Sequence, residues 1–199
     1  DNRNPLTKMA SASQFNKIAS EMIVGSNVRT SSTGGEYLFI APSCTESILQ
    51  PLLRWKEKLG FNTKLAIIEE IGTSAEEIKQ YLQDAYDTWE NPPEFVVLVG
   101  DVSGTIQCPA FYVEGYFTPW DVSDHNYTLL EGDDYFPDVF IGRLSAQSQL
   151  DLMTIVSKII NYEQHPFIDI EWQTRALMVG FVHEFNGFSQ SETLMGIRN

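Results

Sequence analysis

The sequence predicts an α/β fold, a parallel sheet with helices on both faces. From residue 36 onward, short apolar runs alternate with stretches of helical period in the order strand, helix, strand, helix, strand. The runs are nearly continuous rather than alternately polar, as expected of strands buried on both sides.

Each element follows from local pattern. "EYLFIAP" is the first strand, and "ESILQPLLRWKEKLG" a helix with Ile48, Leu52, Leu53 and Trp55 on its apolar side. Pro51 is tolerated there only near the first turn, because proline lacks the amide that an interior position donates. "FNTKLAIIE" is the second strand. "TSAEEIKQYLQDAYDTW" is a helix announced by Thr73 and Glu76, spaced as a capping box. "PPEFVVLVGD" is a third strand. Residues 102–130 break the rhythm with Pro109, Pro119 and aromatics from Phe111 to Trp120, which indicates a long loop or irregular hairpin. "PDVFIGRLS" is a fourth strand, after which Ser145 can cap a helix whose Leu152, Val156, Ile159 and Ile160 face the sheet. "QTRALMVGFVH" reads as a fifth strand and "SETLMGIRN" as the opening of another helix.

Upstream, "QFNKIASEMIV" carries Phe15, Ile18, Met22 and Ile23 near helical spacing, and a Gly-, Ser- and Thr-rich stretch separates it from the first strand. The expected organisation is therefore a leader and linker over 1–35, a first α/β subdomain over 36–170, and the truncated start of a second over 171–199.

With 43% hydrophobic residues in 199, the chain can bury a sizeable core. Its 13 basic against 27 acidic residues give a formal charge of -14, which repels phosphate backbones and anionic lipid and argues against nucleic-acid binding. No apolar run reaches the roughly 18 residues of a membrane helix, so no membrane insertion is expected. The first residue is not Met, and the chain reads as a processed or excised piece. Two cysteines, Cys44 and Cys108, show no metal-type spacing and define no disulfide framework.

In open parallel sheets ligands gather beyond the carboxyl ends of the strands, here "APSC", "IEE", "VGD" and "VHEFNG". A different feature precedes its strand: "EGDDYFPD" concentrates four carboxylates in eight residues. Calcium takes 6 to 8 oxygens, commonly from carboxylates and backbone carbonyls on a bent loop. Asp134 and Asp138 with the carbonyls of Glu131 and Phe136 supply that pattern, Gly132 permits the bend, and Asp101 joins if the third and fourth strands are neighbours. A solvated acidic turn is the plainer alternative. For nucleophilic chemistry, Cys44 lies before a helix and His125 is one of three imidazoles, whereas His183 and Glu184 form a polar pair beyond the fifth strand. "GDVSGT" lacks the lysine and the glycine spacing of a phosphate loop.

"YLFIAPS", "LLRWKEKLGFNTKL", "IKQYLQDAYDTW", "FVVLVGD" and above all "SDHNY" followed by "GDDYFPDVFIGR" resemble, in this order over about residues 36 to 180, the gingipain-type cysteine peptidases. The resemblance implies a caspase-like fold, of which this chain holds the first subdomain and the start of the second. It implies an exported (secreted or cell-surface) cysteine endopeptidase acting on peptide or protein substrates, with the catalytic His and Cys beyond residue 199. The fragment alone is then inactive and completed by the remainder of its own catalytic domain. The resemblance also implies a calcium site at Asp101, Glu131, Asp134, Phe136 and Asp138. More remotely, it implies an accessory catalytic role for Glu184 or His183 and a contact of Glu192 with a basic substrate side chain. The alternative of another class is a non-catalytic, calcium-stabilised binding or assembly module of the same fold.

Overall fold

A computed structural model describes residues 35–115, 120–164 and 174–175. Apart from Gly35, Thr174 and Arg175, the leader, the fifth strand and the final helix expected from sequence lie outside the described residues, as do His183, Glu184 and Glu192. The chain divides into two compact units, 1–163 and 164–199, and the sheet belongs to the first.

From residue 36 the order is β1 (Glu36–Ala41), α1 (Glu46–Lys58), β2 (Asn62–Ile67), a single turn α2 (Ile68–Ile71), α3 (Ala75–Thr88), β3 (Pro93–Val99), β4 (Phe111–Val113), β5 (Asp121–Ser123), β6 (Phe140–Leu144) and α4 (Gln149–Gln164). Strands β2, β1, β3 and β6 form one sheet in that spatial order, every pair parallel. The loop or hairpin expected over 102–130 contains a small antiparallel pair, β4 and β5, with Phe111 opposite Ser123.

The period of two along each strand divides the core into two layers. Leu38, Ile40, Val96 and Leu98 point to one face and meet Ile78 and Leu82 of α3, with Cys108, Tyr127, Leu130 and Val139 of the later loops. Phe39, Ala41 and Val99 point to the other and meet Leu49, Leu52 and Leu53 of α1 and Leu152 and Val156 of α4. Because β1 and β3 are covered on both sides, almost every residue in them is apolar.

Several local expectations shift. The capping box of α3 is Ser74 with Glu77, not Thr73 with Glu76. The Ser74 hydroxyl accepts from the Glu77 amide, and one oxygen of Glu77 accepts from the amides of both Thr73 and Ser74. Before α4, the hydroxyl that accepts from a first-turn amide belongs to Ser148 rather than Ser145, the donor being Asp151. Pro51 sits in the second turn of α1, on its exposed side, where it withholds only the bond that Ser47 would have accepted. Leu49 also takes the most buried place on α1, while Trp55 turns its indole N–H to Glu163 at the end of α4.

Candidate functional site

The carboxyl edge of the sheet is built from the turns that follow β1, β2, β3 and β6. Beyond β1, the Ser43 amide and hydroxyl both donate to the Glu69 carboxylate at 3.0 Å. Partial burial pushes that carboxyl up, but these bonds and one from its own amide outweigh it and leave it below the usual range. Beyond β3, the Asp101 amide donates to the carbonyls of Ile106 and Ala146, and its side chain accepts from Gln147 and from the Val102 amide. The Gln147 bond, then that from Val102, holds the Asp101 carboxyl below its ordinary value. Thr105 closes the turn by donating its amide and hydroxyl to the Gln147 carbonyl.

Behind this edge lies a polar centre. Arg143, near the end of β6, carries its guanidinium into the layer occupied by Cys108 and Tyr127. Nε and Nη2 donate to the two oxygens of Asp124 at 2.8 and 2.7 Å. Nη1 donates to the carbonyls of Gly100 and Cys108 at 2.9 and 2.8 Å, and Nη2 also to that of Pro109 at 2.9 Å. All five N–H donors of the fork are thereby satisfied. Burial lowers the basicity of Arg143, but the Asp124 hydrogen bonds outweigh it and the guanidinium stays charged. The Tyr127 hydroxyl donates to the Pro109 carbonyl at 2.9 Å, and burial pushes its pKa far up. Burial also pushes the Cys108 thiol up to about 11, with Arg143 pulling partly the other way.

The sequence candidates separate in space. Cys44 is exposed just beyond β1, where its carbonyl accepts from Gln149. His125 lies in a short 3₁₀ turn and lines an apolar depression of about 470 Å³ with Phe136, Phe140 and Ile141, beside the opposite edge strand of the sheet from β2. The thiol and imidazole therefore form no dyad: β3 separates the strand leading to Cys44 from the strand beside His125.

The acidic residues divide likewise. Asp138 accepts from the amides of Leu130 and Glu131 at 2.7 and 2.8 Å, and Asp134 accepts from the Phe136 amide at 2.9 Å, so these carboxylates fold their own turn. Gly132, at φ 77°, makes the bend. The turn is tied to α3 by Gln83, which donates to the Leu130 carbonyl, and by Tyr86, whose hydroxyl donates to Glu131. Burial, then the charges of Asp138 and Glu131, drive the Tyr86 hydroxyl far above its ordinary pKa.

Asp101 is not part of this group. Phe95 pairs with Phe140 and Val99 with Leu144, so the turn before β6 lies at the amino edge and Asp101 at the carboxyl edge. Four strand residues at about 3.3 Å each give roughly 13 Å, before the extra residues at either end are added. Parallel pairing therefore corrects the expected five-donor clamp of Asp101, Glu131, Asp134, Phe136 and Asp138: the donors do not converge. Among the described residues, no group of three His, Cys, Asp or Glu side chains is placed to hold a metal ion.

The family model described as "Peptidase family C25" matches residues 30–194. This chain belongs to that family. Among curated relatives, Gingipain R2 of Porphyromonas gingivalis is 29% identical over 147 residues, covering 73% of this chain and 19% of the relative. Lys-gingipain of the same organism is 30% identical over 150 residues, covering 71% of this chain and 8% of the relative. The solved Arg-specific cysteine proteinase gingipain R (RgpB) superimposes with a TM-score of 0.56 at 29% identity, over 69% of this chain and 30% of that one. A complex of the pro- and mature domains of RgpB from Porphyromonas gingivalis gives a TM-score of 0.56 at 32% identity, over 64% of this chain and 29% of that one. The chain thus spans less than a third of each relative's length, and its sheet is the caspase-like α/β architecture of part of a gingipain-type peptidase.

Within this C25 region, the role of Arg143 was missed from sequence. Its signal was a single cation in an otherwise apolar strand, "VFIGRL", together with Asp124 in "SDHNY".

Proposed function

We propose that this chain is the amino-terminal portion of the catalytic domain of an exported gingipain-type cysteine endopeptidase acting on peptide or protein substrates. The observation that carries the proposal is the family match over 30–194, joined to a sheet whose carboxyl-edge turns are fixed by hydrogen bonds and ready to border a cleft. In such chemistry a thiolate attacks the peptide carbonyl, an imidazole moves the proton, and amide donors hold the oxyanion. The described residues supply scaffold rather than nucleophile: Cys108 is buried with a raised pKa, and Cys44 forms no dyad with His125. Nucleophile and base are assigned to sequence beyond residue 199, with Glu184 or His183 supporting the base and Glu192 meeting a basic substrate group.

Calcium enters only as a proposal for the loop's own donors, Asp134, Asp138 and the carbonyls of Glu131 and Phe136, without Asp101. Each carboxylate keeps a second oxygen beyond the one that accepts an amide, and water would complete the coordination shell.

The test is to express the complete protein, assay fluorogenic peptide amides with Arg or Lys before the scissile bond, and map the cysteine labelled by a thiol-directed peptide inhibitor. Cleavage with labelling at a cysteine beyond residue 199 is the expected result. Loss of activity in Cys44→Ala would overturn the assignment, and a complete protein that cleaves nothing would favour the non-catalytic assembly module.

A further inference from the structure

We infer that Arg143 is the positioning residue of the carboxyl-edge loop 100–109, holding it in the shape that borders the substrate cleft. This rests on the peptidase proposal above. The loop leaves the central strand β3 at the edge where open parallel sheets receive ligands. It has little regular structure of its own, only a bridge between Asp101 and Gln107. Its shape is therefore set by what its backbone bonds to.

Three of its carbonyls, those of Gly100, Cys108 and Pro109, converge on one guanidinium, so Arg143 grips the loop at both ends. Asp124 holds the guanidinium in orientation through the bidentate pair. Side-chain exposures of 12% for Arg143 and 25% for Asp124 keep most of the fork out of water, where competing hydrogen bonds would loosen it. Gly100, at φ 118°, is closed over by Ile106 and Cys108, so the loop's entry point is also sterically fixed. A lysine would keep the charge but offer a point donor in place of a planar fork, and could not reach three carbonyls and a carboxylate together.

The decisive comparison is Arg143→Lys against wild type in the complete protein, read by hydrogen exchange and by peptide-amide kinetics. The amides of Asp101, Thr105 and Cys108 are hydrogen-bonded within or beside the loop. In the variant their exchange should rise at least about tenfold, the effect expected when charge-assisted bonds are lost, while the amides of Leu38 and Ile40 in the core stay protected. On the kinetic side, KM should rise by a similar factor with kcat held within about twofold, since the loop borders the cleft but bears no reacting group. Asp124→Asn, which retains the side chain's shape, serves as the second variant if Arg143→Lys does not fold and should move the same amides in the same direction. Exchange that rises uniformly through core and loop would show a merely structural residue and overturn the inference, as would an unchanged KM. If wild type cleaves no peptide, the peptidase proposal fails by itself, and with it the link from loop to cleft, whereas the exchange pattern still reports whether Arg143 holds the loop.

Discussion

Arg143 and Asp124 meet as a two-pronged pair, Nε to Oδ2 at 2.8 Å and Nη2 to Oδ1 at 2.7 Å, across 19 residues of sequence. Removing one partner leaves the other charge uncompensated in a largely dry site. Asp124→Ala should therefore lower unfolding stability by about 3 kcal/mol, read from the urea midpoint at pH 7. In a cycle with Arg143→Met, which also orphans the carbonyls of Gly100, Cys108 and Pro109, the double replacement should cost less than the two single replacements added together; strict additivity would mean that the pair is not a coupled unit.

The α3 cap gives a smaller and more local effect. Ser74→Ala should cost about 1 kcal/mol, because the Glu77 amide loses its acceptor. Gly72→Ala should cost more than that: its φ of 135° suits glycine, and an added Cβ would collide with the side chain of Glu77. Thermal melts of the two variants side by side decide the order.

Acid should erode this stability from a known direction. Glu77 is held below its ordinary pKa by the Ser74 hydroxyl and then by the Ser74 and Thr73 amides, and Asp101 is held low by Gln147 and Val102. A carboxylate whose folded pKa is depressed contributes fully above its unfolded value, about 4.3 for Glu and 3.9 for Asp, and the contribution is lost as pH falls through the lowered folded value. Glu77→Gln should flatten the stability curve on that acidic side and leave its slope near neutrality unchanged. An identical acid limb in the variant would remove Glu77 as a cause.

The two thiols should differ sharply. At pH 8 a thiol with a pKa of about 11 is on the order of one part in a thousand thiolate, and Cys108 is buried as well. Brief iodoacetamide treatment followed by peptide mapping should show Cys44 alkylated and Cys108 intact until denaturant is added. Rapid labelling of Cys108 in the native protein would mean that the layer around Arg143 opens far more readily than its bonding suggests.

For the acidic loop, a site of extracellular-module strength, with a Kd near 0.1–1 mM, would raise the melting temperature by roughly 3–10 °C in 10 mM calcium. Asp134→Ala should abolish the rise and Asp101→Ala should leave it, because Asp101 lies at the other edge of the sheet. A melting temperature indifferent to calcium and chelator would reduce "EGDDYFPD" to a turn folded by its own carboxylates.

Much of this molecule is determined locally. Strands β1, β2, β3 and β6 and helices α1, α3 and α4 are legible because burial on two faces and helical period write themselves into adjacent residues. The caps slid by one residue at Ser74 and by three at Ser148, since neighbouring hydroxyls compete for the same first-turn amides and only the final backbone path selects one. Tertiary structure alone decided the sites. Parallel pairing sends the start of β6 and the end of β3 to opposite edges, so carboxylates that composition gathers into one imagined shell stand apart. The same pairing brings Arg143 to carbonyls 34 to 43 residues away, an encounter that no periodicity records because it depends on where distant segments cross rather than on what lies beside them in the chain.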